Sequence, residues 1–79
     1  MLVEARIKPK NEVLDPQGEA IRRVLAGLGY EGVLQVRVGK LMLLEVAGDD
    51  PAEVKQRVEA ACRELLANPV IEDFEVRLP

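Results

Sequence analysis

Two Asp-Pro dipeptides, Asp15-Pro16 and Asp50-Pro51, constrain the fold of this chain more than any other feature. An N-cap carboxylate accepts from the free amides of a first helical turn, and proline pre-sets φ at the first helical position. Each pair therefore predicts a helix start. After the first, Ala20, Ile21, Val24, Leu25 and Leu28 recur at helical spacing until Gly27 and Gly29 end the run. After the second, Val54, Val58, Ala61, Cys62 and Leu65 do the same until Asn68-Pro69, because the residue before proline avoids helical geometry.

The remaining segments alternate with period two. Val3, Ala5 and Ile7 interleave with Glu4, Arg6 and Lys8, which predicts a strand with one buried face that ends at Pro9. Leu34, Val36 and Val38 alternate with Gln35 and Arg37 as a second strand. Gly39-Lys40 then predicts a tight hairpin turn into a third, Leu41 to Ala47. Val70 to Leu78 closes the chain as a strand with Phe74, Val76 and Leu78 on one face. Strand, helix, strand, strand, helix, strand is the ferredoxin-like α+β order, βαββαβ. It implies an antiparallel sheet with both helices on one face. Residues 1–79 read as a single domain, without linker or low-complexity segment.

The third strand carries apolar residues on both sides. If Met42, Leu44 and Val46 face the helices, Leu41 and Leu43 project from the open face beside Glu4, Arg6, Gln35 and Arg37. An apolar patch there implies a cover. A 79-residue core with one cysteine and no histidine also lacks a disulfide or zinc staple. Together these features predict self-association, as a homodimer or larger, through Leu41 and Leu43.

Composition excludes much chemistry. The chain has no Ser, Thr, His or Trp, so it offers no hydroxyl nucleophile and no imidazole base. A net charge of -3 and two aromatic residues, Tyr30 and Phe74, argue against nucleic-acid binding. No apolar run has the length of a membrane span, and charge interrupts Met1 to Arg6 as it would not in a signal peptide. The expectation is a cytoplasmic protein that binds neither nucleic acid nor membrane. Cys62, on an apolar helical stripe, reads as structural. Asp49-Asp50 reads as a helix cap and not a metal ligand.

Some residues exceed what local structure needs. Gly18 in a first helical turn costs stability relative to alanine, so close approach of another backbone or of a ligand would explain it. Arg37 and Lys40 place two cations beside the expected turn, and Arg37 can make the bidentate contacts that lysine cannot. Asp15, Gln17, Gly18, Arg37, Gly39 and Lys40 are therefore the candidate partner contacts. No residue stands out as catalytic, cofactor-binding or metal-ligating.

Leu14-Asp15-Pro16-Gln17-Gly18, Val36-Arg37-Val38-Gly39-Lys40 and Leu65-Leu66-Ala67-Asn68-Pro69-Val70-Ile71-Glu72 together resemble the PurS family. This is the small subunit of phosphoribosylformylglycinamidine (FGAM) synthase in purine biosynthesis. The resemblance spans essentially the whole chain. It implies a non-catalytic subunit that bridges a glutaminase subunit and a large synthetase subunit. It also implies support for ammonia transfer between them during the ATP- and glutamine-dependent conversion of formylglycinamide ribonucleotide to formylglycinamidine ribonucleotide. ATP and magnesium would then belong to the synthetase, with no cofactor on this chain. The alternative is a small-molecule-sensing regulatory domain of similar topology, with a ligand pocket near the Lys10 to Asp15 loop. A stand-alone acyl-phosphate hydrolase is disfavoured by Glu12 in the loop where phosphate would approach, and a metal chaperone by the lack of a Cys-x-x-Cys pair.

Overall fold

Val3, Ala5 and Ile7 are at most 1% exposed, and the strand that carries them, β1 (Leu2–Pro9), is the spine of the molecule. The computed structural model describes residues 1–79. β2 (Lys40–Glu45) and β3 (Glu72–Arg77) flank β1 on either side, both antiparallel, in the order β2-β1-β3. The register sets Val3 opposite Leu44, Ala5 opposite Met42 and Val76, and Ile7 opposite Phe74. Paired residues share a face, so the apolar positions of all three strands converge on one side.

That side is covered by α2 (Pro51–Ala61), whose buried Val54 and Val58 join Val3, Ala5, Cys62 and Val76 in one core cluster. Asp50 caps it as expected, accepting from the Ala52 amide at 3.1 Å. Beyond Ala61 the helix widens into a π-helical turn, Cys62–Leu66, closed by a 2.9 Å bond from the Ala67 amide to the Cys62 carbonyl. Asn68 then folds the chain back towards β3. Its carbonyl accepts from Ile71 and Glu72, at 3.1 and 2.7 Å, and its side chain accepts from Val70.

α1 (Pro16–Gly27) also begins and ends where the sequence indicates. Asp15 accepts from the Gly18 amide at 3.0 Å. At the other end Gly29, with φ of 99°, closes the helix: its amide bonds to Ala26 and that of Tyr30 to Leu25.

The antiparallel sheet and two helices fit the ferredoxin-like α+β topology, βαββαβ, with residues 33–38 standing where its second strand falls. Two local expectations fail. Residues 33–38 have no ladder partner within the chain, and Gly39-Lys40 is not a hairpin turn. Gly39 lies flat against β1, where a Cβ would stand 2.5 Å from the Ile7 carbonyl oxygen and 3.4 Å from Lys8 Cα. The chain therefore runs straight through Gly39, continuing the line of β2 past the end of β1. Because the hairpin stays open, α1 is carried away from the sheet and does not lie beside α2. Its residues Val24 and Leu28 are 64% and 70% exposed, and the core cluster takes no member from α1.

The result is a sheet-and-helix body with a projecting arm. The molecule measures 48 × 25 × 14 Å. Its radius of gyration is 15.8 Å, against about 12 Å for a compact chain of this length. Trimming the two apolar regions should therefore give opposite outcomes in the dilute, monomeric chain. Val58→Ala is expected to cost about 2 kcal/mol by opening a core cavity. Val24→Ala on the arm should cost no more than about 0.5 kcal/mol, and urea unfolding of the two variants reads the contrast.

Candidate functional site

The three motifs singled out in the sequence meet at the root of the arm. Asp15 uses both carboxylate oxygens: Oδ1 accepts from Gly18 at 3.0 Å, and Oδ2 accepts from the Val38 amide at 2.8 Å. One side chain thus caps α1 and fastens it to the strand extension. The Val38 and Gly18 hydrogen bonds, in that order, hold the Asp15 carboxyl below its ordinary value, and the Arg37 charge adds to the effect.

Arg37 acts from the other side of the same strand. Its Nη1 donates to the carbonyls of Lys10 and Val13, at 3.0 and 2.7 Å, and its Nη2 to the carbonyl of Asn11. The planar guanidinium gathers three carbonyls of the loop between β1 and α1, a geometry that an ammonium does not reproduce. The Lys10 to Asp15 loop is therefore tied down by backbone groups already spent on Arg37. A hollow of about 260 Å³ remains beside it, bounded by Asn11, Glu12, Asp15, Glu19, Gln35 and Arg37.

Gly18 has a local reason after all. A Cβ at this position would lie 2.0 Å from the Val36 carbonyl oxygen, so the helix and the extension approach as only glycine allows. The other backbone is the chain's own. Lys40 joins the second motif to the third: its Nζ donates to the Leu66 carbonyl at 3.3 Å and lies 3.8 Å from Glu72. Glu72 also accepts from the Asn68 amide at 2.8 Å, and the Lys10 amide bonds to the Ile71 carbonyl at 2.9 Å.

Five of the six candidate contact residues thus have intramolecular roles that hold the arm in place, and Gln17 is exposed on α1. Leu41 and Leu43 are 59% and 61% exposed on the open sheet face, across from Arg6 and Glu4. A shallow hollow of about 580 Å³ on the same body is lined by Arg6, Lys8, Lys40, Leu41, Asp73 and Glu75. Its charges are mixed in sign and do not converge on a point. Sequence reasoning missed the exposed row on α1, because helical periodicity marks an apolar face without saying which chain buries it.

No nucleophile is poised for chemistry. Cys62 is fully buried, and burial first, then the negative charge of Glu59, push its thiol up against a smaller pull from Arg63. No cluster of three or more Cys, Asp or Glu side chains could hold a metal ion. No helix is long and apolar enough to cross a membrane.

A sheet-and-helix body with a fixed projecting arm defines a small α+β protein of ferredoxin-like class. The family model for PurS, phosphoribosylformylglycinamidine (FGAM) synthase, matches residues 2–79. The chain is 42% identical over 72 residues to the PurS subunit of Methanocaldococcus jannaschii, covering 91% of this chain and 87% of that one. In three dimensions it is similar to Bacillus subtilis PurS, with a TM-score of 0.85, 38% identity and coverage of 96% and 94%. It is likewise similar to a chain in the structure of PurLQS from Thermotoga maritima, with a TM-score of 0.82, 39% identity and coverage of 98% and 96%. The chain belongs to the PurS family. It is an accessory, non-catalytic subunit of FGAM synthase, the purine-biosynthetic ligase, and not an enzyme complete in itself.

Two outcomes check the arm's root. Alanine for glycine inside a helix ordinarily stabilises by about 1 kcal/mol. Gly18→Ala is expected to destabilise instead, by thermal unfolding, because Val36 must move. Asp15 has a folded-state pKa below the ordinary value of 3.8. Its contribution is therefore complete above that value and lost as pH falls through the lower, folded one. The Gly18 and Val38 amide resonances should shift together in that acid range, and Asp15→Asn should abolish the shared transition.

Proposed function

We propose that this chain acts as the bridge between the glutaminase and synthetase subunits of its complex and supports ammonia transfer between their active sites. The observation that carries this reading is family membership over residues 2–79 in a chain with no reactive centre of its own. Likeness to a chain of the Thermotoga maritima PurLQS structure supports the same partners. Free ammonia near neutral pH is largely protonated and then ceases to be a nucleophile, so a docked, sheltered route between two sites preserves it. A rigid adaptor contributes geometry to this and no proton transfer. ATP and magnesium are assigned to the synthetase subunit and the complex to the cytoplasm.

Asp15, Gly18, Arg37, Gly39 and Lys40 serve partner contact through the arm they hold, with Gln17 exposed on it for direct contact. The free chain is proposed to self-associate as a dimer or higher, as the exposed Leu41 and Leu43 first suggested. The small-molecule-sensing alternative would place its ligand in the hollow beside the Lys10 to Asp15 loop, where the Lys10, Asn11 and Val13 carbonyls already accept from Arg37.

Reconstitution with the two partner subunits tests the reading. Omitting this chain should abolish glutamine-dependent product formation while an added ammonium salt still sustains the synthetase reaction. Unchanged glutamine-dependent turnover without it would refute the bridging role. Cys62→Ala should assemble and turn over like the wild type, with a stability loss of about 1 kcal/mol from the trimmed core. Arg37→Ala should lower glutamine-dependent turnover and also destabilise the free chain, by roughly 1–3 kcal/mol for a charged group's hydrogen bonds.

A further inference from the structure

The Asp-Pro pairs that start the two helices are also the most acid-labile peptide bonds in the chain. Proline joins the backbone through a tertiary amide nitrogen without N–H, which departs more readily in acid than an ordinary amide nitrogen. Scission runs through the aspartate's own carboxylate. One of its oxygens attacks the aspartate carbonyl carbon and forms a cyclic anhydride. The electron pair of the breaking C–N bond goes to the proline nitrogen, which takes up a proton. One water then opens the anhydride to a free aspartic acid at the new C-terminus. Nothing is oxidised or reduced, and the event happens once per chain without turnover.

The two bonds form an internal comparison. Both aspartates cap a helix, and the carbonyl of each accepts from the amide four residues on, Glu19 for Asp15 and Val54 for Asp50, both at 3.0 Å. The attacked carbonyls are therefore held alike. The attacking carboxylates are not. Asp15 is half-buried and has both oxygens engaged, one by Gly18 at 3.0 Å and the other by Val38 at 2.8 Å. It must surrender a charge-assisted hydrogen bond before either oxygen can turn onto its own carbonyl. Asp50 keeps one oxygen on the Ala52 amide at 3.1 Å, and its other oxygen accepts from no group of the chain. Asp49, Asp50 and Pro51 are all exposed, so water reaches the bond as well.

We propose that the Asp50–Pro51 bond is the site at which the folded chain cleaves itself in mild acid, and that the two-oxygen grip of Asp15 shields the Asp15–Pro16 bond from the same fate. The cut separates residues 1–50, which carry β1, α1 and β2, from residues 51–79, which carry α2, the π-helical turn and β3. The core cluster is divided by it. Val3 and Ala5 remain on the first fragment, and Val54, Val58, Cys62 and Val76 pass to the second. The joint of Asp15 and Arg37 stays whole on the first fragment, since all of its partners lie before residue 50.

The test uses the free, full-length chain, so its outcome is independent of the role in the three-subunit complex. The chain is held at about pH 4.5, close to the ordinary carboxylate range, and below its unfolding temperature, with circular dichroism to follow the fold. Intact mass spectrometry should show fragments 1–50 and 51–79, whose masses sum to that of the chain plus one water. Cleavage at Asp50–Pro51 should outrun cleavage at Asp15–Pro16 by about tenfold or more, the factor that one further hydrogen bond to a charged group supplies. In urea the two rates should converge to within about threefold, because neither carboxylate keeps its amides. Asp50→Ser retains a capping oxygen but no carboxylate, and should abolish the 51–79 fragment. Equal rates at the two bonds of the folded chain overturn the proposal, as does a faster cut at Asp15–Pro16. So does an uncut folded chain under conditions that cleave the urea-unfolded one, or a 51–79 fragment that survives Asp50→Ser.

Discussion

The two-oxygen grip of Asp15 decides what kind of molecule this chain becomes. With one oxygen on Gly18 and the other on Val38, a helix cap doubles as a weld between α1 and the strand extension. Arg37 reinforces the weld from the loop side through the carbonyls of Lys10, Asn11 and Val13. Without these bonds the arm would be a helix on a tether. With them it is a projection of fixed direction, which an accessory subunit needs if it is to set the spacing of other proteins. The hydrogen bonds to the ionised carboxylate are charge-assisted and so stronger than neutral ones.

Gly39 is the complementary constraint. Its missing side chain admits the Ile7 carbonyl at a distance no Cβ tolerates, so the strand passes β1 in the extended line and does not turn back. A glycine before a lysine, between two alternating runs, has the appearance of a hairpin in sequence because turn glycines and close-approach glycines are spelled alike. The distinction lies in φ: Gly29 and Gly48 take positive values, 99° and 122°, and Gly39 does not. This explains why both helix starts, the buried stripe of β1 and the period of β3 were legible, while the second strand's partner was not. Local chemistry writes caps and faces. Whether an exposed edge pairs within a chain or between chains depends on a long-range choice that no single residue declares.

The candidate site shows the same division. Arg37, Gly18 and Lys40 stand out in sequence because each costs something or offers more donors than its neighbourhood seems to need. The donors prove to be used within the chain, those of Arg37 on carbonyls of the loop that precedes the first motif and those of Lys40 on a carbonyl and a carboxylate of the third. Three short motifs separated by tens of residues therefore read as one structural joint: the first caps and docks α1, the second supplies the strand and its cations, and the third receives Lys40. Residues of this kind fix the orientation of α1 and the strand extension. Their loss would misplace a surface and leave any chemistry intact.

The core accounts for the rest. Its cluster of Val3, Ala5, Val54, Val58, Cys62 and Val76 draws on β1, α2, the π-helical turn and β3, and on nothing in the arm. The body can therefore hold together while the arm's apolar row stays in water, and the two halves of the chain draw their stability from different sources. The body is stabilised within one chain, whereas the arm packs within it only at its root, at Gly18, and leaves Val24 and Leu28 exposed. Binding to the folded form alone adds stability that grows with the concentration of the partner. Assembly and order in the arm are coupled for that reason, and a joint as stiff as the Asp15 and Arg37 root reduces the conformational freedom that docking must remove.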